Sequence, residues 1–586
     1  MGFHSDSFRP RLLMLALAAL LLSACAGLPP GPPPGPFAPA EWSGLDTVLT
    51  RYGAVRGFAD REGTWVWKAI PFARPPLGEL RWKAPREPLP WTGVRARRRF
   101  AGPCTQFQPL TGKIIGSEDC LYLNVWRPQS AQTGLPVYVW IHGGGNSIGS
   151  ASFVPDYYGH SLARRGNLVF VSVNYRLGPL GWFTHPALRE GLSPEDDSGN
   201  YGTLDLIAAL RWIRENIAAF GGDPGTVLIA GESAGAMNVL SLLLAPAARG
   251  LFHRAVIESG APMTHEPEEG ERKARQVLLR LLVLARKARN LNAAEAVLDG
   301  MKGPEARAFL RAQPDLRILS CYEPGRTGMI ENPSIFTDGF LLPAGGFKAL
   351  ERGDYPGKVP VLIGSNQEEL KLFLYLSGSP SWRSKLYRAA ARYGSEMWKA
   401  EGVDGIARRL AGNPDQPPVY AYLFAWGAPD EQGRSVLPGH WGQRLGAFHS
   451  LEVPFFLGTD TIFGPLLTPF LFTKGNRAGR QALSAGITRY LSSFLRYGDP
   501  NIPVPENAGP APAQELPHWE PWSNEPGGPK GLRLDARGGS PDFRPLREEL
   551  TREGIEAAMA AELPPELLAQ TRAFLTRSPL GTQPMP

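Results

Sequence analysis

Three uninterrupted runs of apolar residues, interspersed with segments of helical periodicity, constrain the fold of this chain more than any other feature. The runs are PVYVWI (136–141), LVFVSVNY (168–175) and TVLIAG (226–231). A strand that is buried on both faces has such a continuous apolar sequence, and strands of this kind belong to parallel sheets. Residues 203–220 and 234–245 carry apolar side chains at helical spacing. Strands that alternate with helices form βαβ units, so the sequence predicts an α/β fold with a mostly parallel central sheet flanked by helices.

Further segments fit this order of elements. The segment TWVWKAI (64–70) alternates in polarity and predicts an antiparallel strand. More strands are predicted at 254–260, 358–365 and 418–426. Residues 266–350 are expected to form part of a helical cap, which includes a basic amphipathic helix at 271–290. Such a helix could also lie on a membrane surface, but its place between strands favours packing over the sheet.

The first residues have the pattern of an export signal. Arg9 and Arg11 precede the apolar stretch 12–22, which is too short to span a bilayer but has the length of a signal-peptide core. The stretch ends in LSAC, which resembles the lipobox of bacterial lipoproteins, and the cysteine that would be lipidated is Cys25. An A-x-A pattern at 24–26 leaves ordinary signal-peptide cleavage as the alternative.

These boundaries predict the domain organisation. Residues 1–24 are predicted to be a lipoprotein signal peptide, residues 25–40 a Pro- and Gly-rich tether, and residues 41–586 a single domain. We therefore expect an exported protein that a lipid anchor at its N-terminus holds at a membrane of the bacterial cell envelope. The alternative is a soluble protein that is secreted or periplasmic.

Export to an oxidising compartment bears on the cysteines. Cys104 and Cys120 are close in sequence, and we predict a disulfide between them. Cys321 is then left without a partner. We expect it to be a buried thiol rather than a nucleophile.

Charge and missing motifs exclude several classes of protein. The net charge of +7 is scattered along the chain, apart from the run Arg95, Arg97, Arg98 and Arg99. No nucleic-acid-binding module accompanies this run, so it indicates a solvated surface and no nucleic-acid partner. The sequence contains no H-E-x-x-H motif, no paired C-x-x-C motifs and no dinucleotide fingerprint, and we therefore predict neither a metal nor a cofactor.

A G-x-S-x-G motif lies where a predicted strand gives way to a predicted helix. The motif is AGESAGA (230–236), and its serine is Ser233. Glycines permit a sharp turn at such a junction, and the turn projects the serine oxygen above the sheet. A serine hydroxyl is a nucleophile only when a base takes its proton and a third group orients that base.

A second glycine-rich motif follows an earlier predicted strand. It is WIHGGGN (140–146), which matches the loop that presents backbone N–H groups to an oxyanion. The carboxyl ends of parallel strands meet at one edge of the sheet, where sites form. We therefore expect this loop to lie close to Ser233.

With these motifs the chain resembles the type-B carboxylesterases, whose relatives include the cholinesterases. The resemblance covers most of residues 50–525 and implies an α/β-hydrolase fold. Its motifs occur in the family's order and are AIPFARPPLGELRWKAP (69–85), SEDCLYLNVWRP (117–128), WIHGGG (140–145), VNYRLGPLGW (173–182), IRENIAAFGGDPGTVLIAGESAGA (213–236), IESGAP (257–262), SFLRYGDPN (493–501) and LPHWEPW (516–522).

The resemblance also implies the partners of Ser233. The family's acid lies in a G-x-x-x-x-E motif, which LIGSNQEELKLF matches at Glu369. The adjacent Glu368 is the alternative, and the spacing from Gly364 favours Glu369. The family's base lies in a G-x-x-H-x-x-E-x-x-F motif, which GAFHSLEVPFFLG matches at His449. The order serine, acid, histidine is the one that α/β-hydrolases use.

Two further groups follow from the same correspondence. Glu232, Ser259 and Glu452 resemble the family's buried polar network, whose expected task is to orient the histidine and a water. A purely structural role is the alternative for these three. The donors to the oxyanion would be the backbone N–H groups of Gly144, Gly145 and Ala234.

The sequence therefore predicts a serine ester hydrolase that acts on a small-molecule ester through an acyl-enzyme. An amidase or a lipase would use the same triad, and a binding module of this fold that has lost catalysis is a further alternative. The loop between Cys104 and Cys120 contains no tryptophan, and residues 328–339 contain no close aromatic pair. Because cholinesterases carry both features, we do not expect a specialist for quaternary-ammonium esters.

Overall fold

The computed structural model describes residues 41–509 and 515–577. The predicted signal peptide, the tether and Cys25 lie outside the described residues. Within the described ranges, no helix is both long enough and apolar enough to cross a membrane.

A large central sheet organises the fold. In chain order the strands of the described ranges are β1 Thr47–Thr50, β2 Gly53–Arg56, β3 Phe58–Asp60, β4 Thr64–Pro71, β5 Val94–Arg95, β6 Gln106–Phe107, β7 Ile114–Ile115, β8 Tyr122–Pro128, β9 Leu135–Ile141, β10 Val169–Val173, β11 Gly222–Glu232, β12 Arg254–Glu258, β13 Val361–Asn366, β14 Val419–Phe424, β15 Gly531–Arg537 and β16 Ser540–Leu546. The spatial strand order of the central sheet is β16-β15-β14-β13-β12-β11-β9-β10-β8-β4-β3, and two small sheets, β1-β2-β5 and β6-β7, lie outside it.

The middle of the central sheet is parallel and its two edges are antiparallel. The pairings from β10 through β9 and β11 to β15 are all parallel. The pairings β3–β4, β4–β8, β8–β10 and β15–β16 are antiparallel. The alternation in TWVWKAI correctly predicts the antiparallel strand β4. The predicted α/β fold with a mostly parallel sheet is confirmed.

Burial on both faces explains why the central strands are continuously apolar. In β9, Val137, Val139 and Ile141 pack into the core on one face of the sheet. Tyr138 and Trp140 of the same strand pack into a second core on the opposite face. Neither face reaches water, so no polar alternation marks the strand.

Helices cover both faces of the sheet. Val239 and Leu240 of the helix Ala234–Leu244 belong to the first core, whereas Leu491 and Phe494 of the helix Arg477–Tyr497 belong to the second. In the part of the chain that the structure describes, the α-helices are His160–Gly166, Gly178–Gly181, Pro194–Asp197, Tyr201–Asn216, Ala234–Leu244, Pro267–Leu284, Leu291–Asp299, Gly303–Arg311, Asp315–Leu319, Ala349–Arg352, Leu370–Ser377, Lys385–Lys399, Gly405–Ala411, Trp441–Arg444, Val453–Phe456, Thr468–Leu471, Arg477–Tyr497, Arg552–Glu562 and Pro565–Arg577.

The basic amphipathic segment forms a helix that packs on the protein. The helix spans Pro267–Leu284 and thus ends before the predicted limit at residue 290. Its apolar side, which includes Val277, Leu278 and Leu281, is buried. An apolar face that is covered by protein is not available to a membrane surface.

The cysteines are arranged as predicted. Cys104 and Cys120 form a disulfide, and Cys321 is a free, buried thiol. Burial raises the pKa of the Cys321 thiol to about 11. Because the thiolate is the nucleophilic form, this cysteine is poorly suited to attack a substrate.

Candidate active site

Ser233 occupies a strained turn between β11 and the helix Ala234–Leu244, which we call the elbow helix. Its backbone has φ +57° and ψ −123°, a conformation that is costly for a residue with a side chain. Two backbone bonds hold the turn in place: the N–H of Ser233 donates to the carbonyl of Glu258 at 2.9 Å, and its carbonyl accepts from Met237 at 3.0 Å. The strand–turn–helix context predicted for the G-x-S-x-G motif is present.

The flanking glycines allow the turn to pass close to the neighbouring strand. A Cβ on Gly235 would lie 2.1 Å from the carbonyl oxygen of Ile141 at the end of β9. A Cβ on Gly231 would lie 2.4 Å from the carbonyl carbon of Gly235. Atoms cannot approach this closely, so only glycine fits at either position.

His449 and Glu369 form a direct pair. Nδ1 of the imidazole lies 2.6 Å from Oε2 of the carboxylate, and both residues are buried. The second carboxylate oxygen, Oε1, accepts the backbone N–H of Asn366 at 2.6 Å. Glu369 stands directly before the helix Leu370–Ser377, close to the end of β13. The structure thus brings Glu369, and not the neighbouring Glu368, to the imidazole.

The other imidazole nitrogen faces the carboxylate of Glu232. Nε2 of His449 lies 3.1 Å from Oε1 of Glu232, the residue before Ser233, and makes no hydrogen bond within the described ranges. The ring centroids of Trp398 and Phe373 lie 4.9 Å and 5.0 Å from the centroid of the imidazole, so the two rings confine it. Nε2 thus lies beside the carboxylate of the residue that precedes Ser233.

Charge around His449 sets its basicity. Burial alone would lower the pKa of the imidazole, but the carboxylates of Glu232 and Glu369 raise it to about 9. The two carboxylates favour the protonated ring because they lie close to it in a medium of low polarity. An imidazolium that forms during a reaction would be stabilised at this position.

The glycine-rich loop after β9 lies against Ser233. A Cβ on Gly143 would lie 3.0 Å from Cβ of Ser233. Gly144 and Gly145 have φ of +110° and +59°, which favour glycine. Among residues 41–509 and 515–577, no acceptor is hydrogen-bonded to the backbone N–H of Gly144, Gly145 or Ala234. Three N–H groups, two in the loop that contacts Ser233 through Gly143 and one in the residue after Ser233, are therefore available to bind a negatively charged oxygen.

Glu232, Ser259 and Glu452 are buried close to the pair but divide into two hydrogen-bonded groups. Ser259 donates to Oε1 of Glu452 at 2.5 Å. Glu232 instead accepts from Ser450 at 2.6 Å. Burial, followed by the charges of Glu232 and Glu369, raises the pKa of Glu452 to about 8. The burial of Glu452 thus favours its protonated form, and the carboxylate that contacts the imidazole is that of Glu369.

Sequence reasoning missed three side chains of this region. Asn366 donates through Nδ2 to the carbonyl of Phe448 at 2.6 Å and to Glu452. Ser450 holds Glu232, and Glu258 pairs with Glu232 in the register of β11 and β12. Burial, with Glu452 and Glu232, raises the pKa of Glu258 well above its ordinary range. Their place in the sequence could have identified these side chains, because each of the three lies within four residues of a residue that the motifs identify.

Within the described ranges, no group of three or more His, Cys, Asp or Glu side chains is placed to hold a metal ion. The arrangement instead consists of a serine in a strained turn, an imidazole paired with a carboxylate, and free N–H groups. These are the parts that acyl transfer requires.

Comparison with known proteins agrees with this arrangement. A family model described as the carboxylesterase family matches residues 45–393. The chain is 34% identical over 437 residues to the para-nitrobenzyl esterase of Bacillus subtilis (strain 168), which covers 70% of this chain and 82% of that protein. It is 31% identical over 559 residues to a liver carboxylesterase of Sus scrofa, which covers 88% of this chain and 92% of that protein.

Solved structures show the same likeness. A structure of PNB esterase superposes with a TM-score of 0.66 at 28% identity and covers 87% of this chain and 99% of its own. A carboxylesterase of Geobacillus stearothermophilus superposes with a TM-score of 0.65 at 30% identity and covers 85% of this chain and 98% of its own. The fold is thus the α/β-hydrolase fold, the chain belongs to the carboxylesterase family, and it is a carboxylic ester hydrolase.

Proposed function

We propose that the protein hydrolyses small-molecule esters through an acyl-enzyme on Ser233. His449 takes the proton of the serine hydroxyl through Nε2 as the oxygen attacks the ester carbonyl. Glu369 holds the imidazole by its Nδ1–H and stabilises the imidazolium. The observation that carries the proposal is the 2.6 Å contact between Nδ1 of His449 and Glu369, because it leaves Nε2 on the side of Glu232, the residue that precedes Ser233.

The negative charge of the tetrahedral intermediate needs donors that are already in place. The N–H groups of Gly144, Gly145 and Ala234 would supply them from the glycine loop and from the first turn of the elbow helix. Each such donor typically lowers the barrier by about 3 kcal/mol. Collapse of the intermediate expels the alcohol, which takes its proton from His449.

The second half of the reaction uses the same residues. The neutral imidazole of His449 activates a water that attacks the acyl group on Ser233, and the acid is released as the serine recovers its proton. Glu232 lies 3.1 Å from Nε2 and is held by Ser450. We assign it to the orientation of this water and of the imidazole.

Covalent labelling tests the assignment of the nucleophile. A fluorophosphonate should add one phosphonyl group to the intact protein, and peptide mapping should place that group on Ser233. Prior mutation of His449→Ala should slow labelling strongly, because the serine then has no base. An adduct on another serine, or a rate that His449→Ala does not change, would contradict the assignment.

We infer that the protein is lipidated at Cys25 and held at a membrane of the cell envelope. The support is the sequence LSAC at the end of a signal-peptide core, followed by a tether that is rich in proline and glycine. Cys25→Ser should move the protein from the membrane fraction to the soluble fraction and remove the acyl mass from its N-terminal peptide. If the protein stays membrane-bound after Cys25→Ser, the lipid anchor is not at this position.

A further inference from the structure

Glu368 stands beside the acid of the proposed triad, yet its carboxylate points to a different part of the histidine-bearing loop. Oε2 of Glu368 accepts the backbone N–H of Ala447 at 3.0 Å. The backbone N–H of Glu368 donates in turn to the carbonyl of Ala447, also at 3.0 Å. Ala447 is thus bound on both sides by a single residue, and it lies two positions before His449.

The turn at Gly446 is shaped around the same carboxylate. Gly446 has φ +55°, and a Cβ on it would lie 1.5 Å from Oε2 of Glu368. The carboxylate therefore lies directly over Cα of this glycine. A left-handed residue followed by the doubly bound Ala447 sets the direction in which the chain enters His449.

A buried lysine completes the contact. Nζ of Lys371 lies 2.5 Å from Oε1 of Glu368 and donates to the carbonyl of Gly442 at 3.2 Å. Burial raises the pKa of Glu368, and the charge of Lys371 opposes that rise. The lysine side chain is only 9% exposed, so its charge has little access to water and depends on this carboxylate.

These contacts hold the segment that leads to His449 at successive points. Lys371 bonds to Gly442 in the helix Trp441–Arg444, Glu368 bonds to Ala447, and Glu369 meets the imidazole itself. A rigid second layer of contacts of this kind maintains the geometry of reacting groups to a fraction of an ångström.

We propose that Glu368 is a positioning residue for His449, which acts by holding the Gly446–Ala447 turn through its carboxylate while Lys371 neutralises that carboxylate. The proposal rests on the proposed function, since it assigns Glu368 a task only if His449 is the base. A single substitution of Glu368 would have two effects at once. It would remove the acceptor for the N–H of Ala447, and it would leave the charge of Lys371 buried without a partner.

Two double variants separate these effects. Glu368→Gln/Lys371→Met removes both charges but keeps a carbonyl oxygen for the N–H of Ala447. Glu368→Ala/Lys371→Met also removes both charges and removes the acceptor. Neither variant leaves an unpaired buried charge, which would destabilise the fold for reasons unrelated to His449.

The measurement is kcat and KM for a p-nitrophenyl ester, together with the melting temperature of each variant. We expect kcat of the alanine double variant to be roughly ten- to a hundredfold below that of the glutamine double variant, because small displacements of a catalytic group cost this much. KM should agree within about twofold, since no substrate contact is lost. Equal kcat values for the two double variants would overturn the proposal.

A control variant separates a general loss of stability from a specific loss of kcat. Glu118 forms a buried ion pair with Arg81, its Oε2 lying 2.6 Å from Nε of the arginine, and Glu118→Gln should lower the melting temperature without lowering kcat. If the alanine double variant does not fold, Glu368→Ser/Lys371→Met replaces it, because serine is too short to reach Ala447.

Fluorophosphonate labelling of the unmodified protein distinguishes the role of Glu368 from the proposed function itself. Failure to label Ser233 refutes the proposed function, whereas labelling together with equal kcat values refutes only the role of Glu368.

Discussion

Nδ1 of His449 lies 2.6 Å from Oε2 of Glu369, although the two residues are 80 positions apart in the chain. The parallel sheet brings them together, because the segments that follow β13 and β14 leave the sheet at the same edge. The contact fixes which imidazole nitrogen carries the proton when the carboxylate is charged. Nε2 is then the nitrogen that can act as a base.

Glu369→Gln should therefore abolish most of the activity while the fold persists. The amide can donate a hydrogen bond to Nδ1, which would favour the wrong tautomer, and it cannot stabilise an imidazolium. We expect kcat to fall by about 10⁴-fold, the loss found for the equivalent change in a serine triad. Steady-state kinetics with a p-nitrophenyl ester measure it. A smaller loss for Glu369→Gln than for the double variant Glu368→Gln/Lys371→Met would show that the acid has been misassigned.

The activity should depend on pH through His449. Only the neutral imidazole is a base, and Glu232 and Glu369 raise its pKa to about 9, so kcat/KM should rise with pH well above the ordinary histidine range. Glu232→Gln removes a carboxylate that favours the protonated form. The pKa of His449 should then fall, and the rise in kcat/KM should move to lower pH.

The pH profiles of kcat/KM for the unmodified protein and for Glu232→Gln measure the direction of this shift. Glu431→Gln serves as the control, because it changes the net charge equally at a solvent-exposed position. The profile of the control should coincide with that of the unmodified protein. A shift to higher pH in Glu232→Gln would contradict the electrostatic account.

Gly235→Ala should disrupt the serine turn. Its Cβ would lie 2.1 Å from the carbonyl oxygen of Ile141, so the elbow helix would have to move away from β9. We expect a loss of about 1–3 kcal/mol in the free energy of unfolding, together with loss of activity. Gly303→Ala is the matched control because its Cβ would meet no atom within 4 Å. Urea denaturation, monitored by tryptophan fluorescence, gives the free energy of unfolding of each variant. Equal values for Gly235→Ala and Gly303→Ala would contradict the close packing at Gly235.

The disulfide should contribute to stability rather than to chemistry. The bond between Cys104 and Cys120 closes a loop with a sequence separation of 16. The double variant Cys104→Ala/Cys120→Ala should lose about 3 kcal/mol in the free energy of unfolding, because its unfolded chain is less constrained. Its kcat should change little. Unchanged stability would mean that the native state holds this loop without help from the bond.

Much of the fold and of the candidate site could be predicted from the sequence. The runs PVYVWI and TVLIAG are buried on both faces as β9 and β11, so their apolar continuity predicted parallel strands. The motif around Ser233 predicted a turn between strand and helix, since its glycines fit only where Gly235 passes the end of β9. Periodicity and local motifs predict these features because the burial of a strand and the tightness of a turn depend on which residue type stands at each position.

Contacts between distant segments could not be predicted in the same way. The spacing from Gly364 predicted Glu369 as the partner of His449, but only the structure shows that the adjacent Glu368 meets Ala447 and Lys371. Likewise Ser259 and Glu232 belong to separate hydrogen-bonded groups, a division that depends on side-chain direction. Spacing along a chain does not specify such directions.

Ser233→Ala decides whether Ser233 is the nucleophile. Ser241→Ala is the matched control, because Ser241 is a buried serine in the elbow helix whose hydroxyl donates to the carbonyl of Asn238 at 2.8 Å. The measurement is the rate of p-nitrophenyl acetate hydrolysis by each purified variant. We expect Ser233→Ala to lose kcat by about 10⁶-fold, whereas Ser241→Ala should keep its activity. Hydrolysis by Ser233→Ala at a rate close to that of the unmodified protein would show that Ser233 is not the nucleophile.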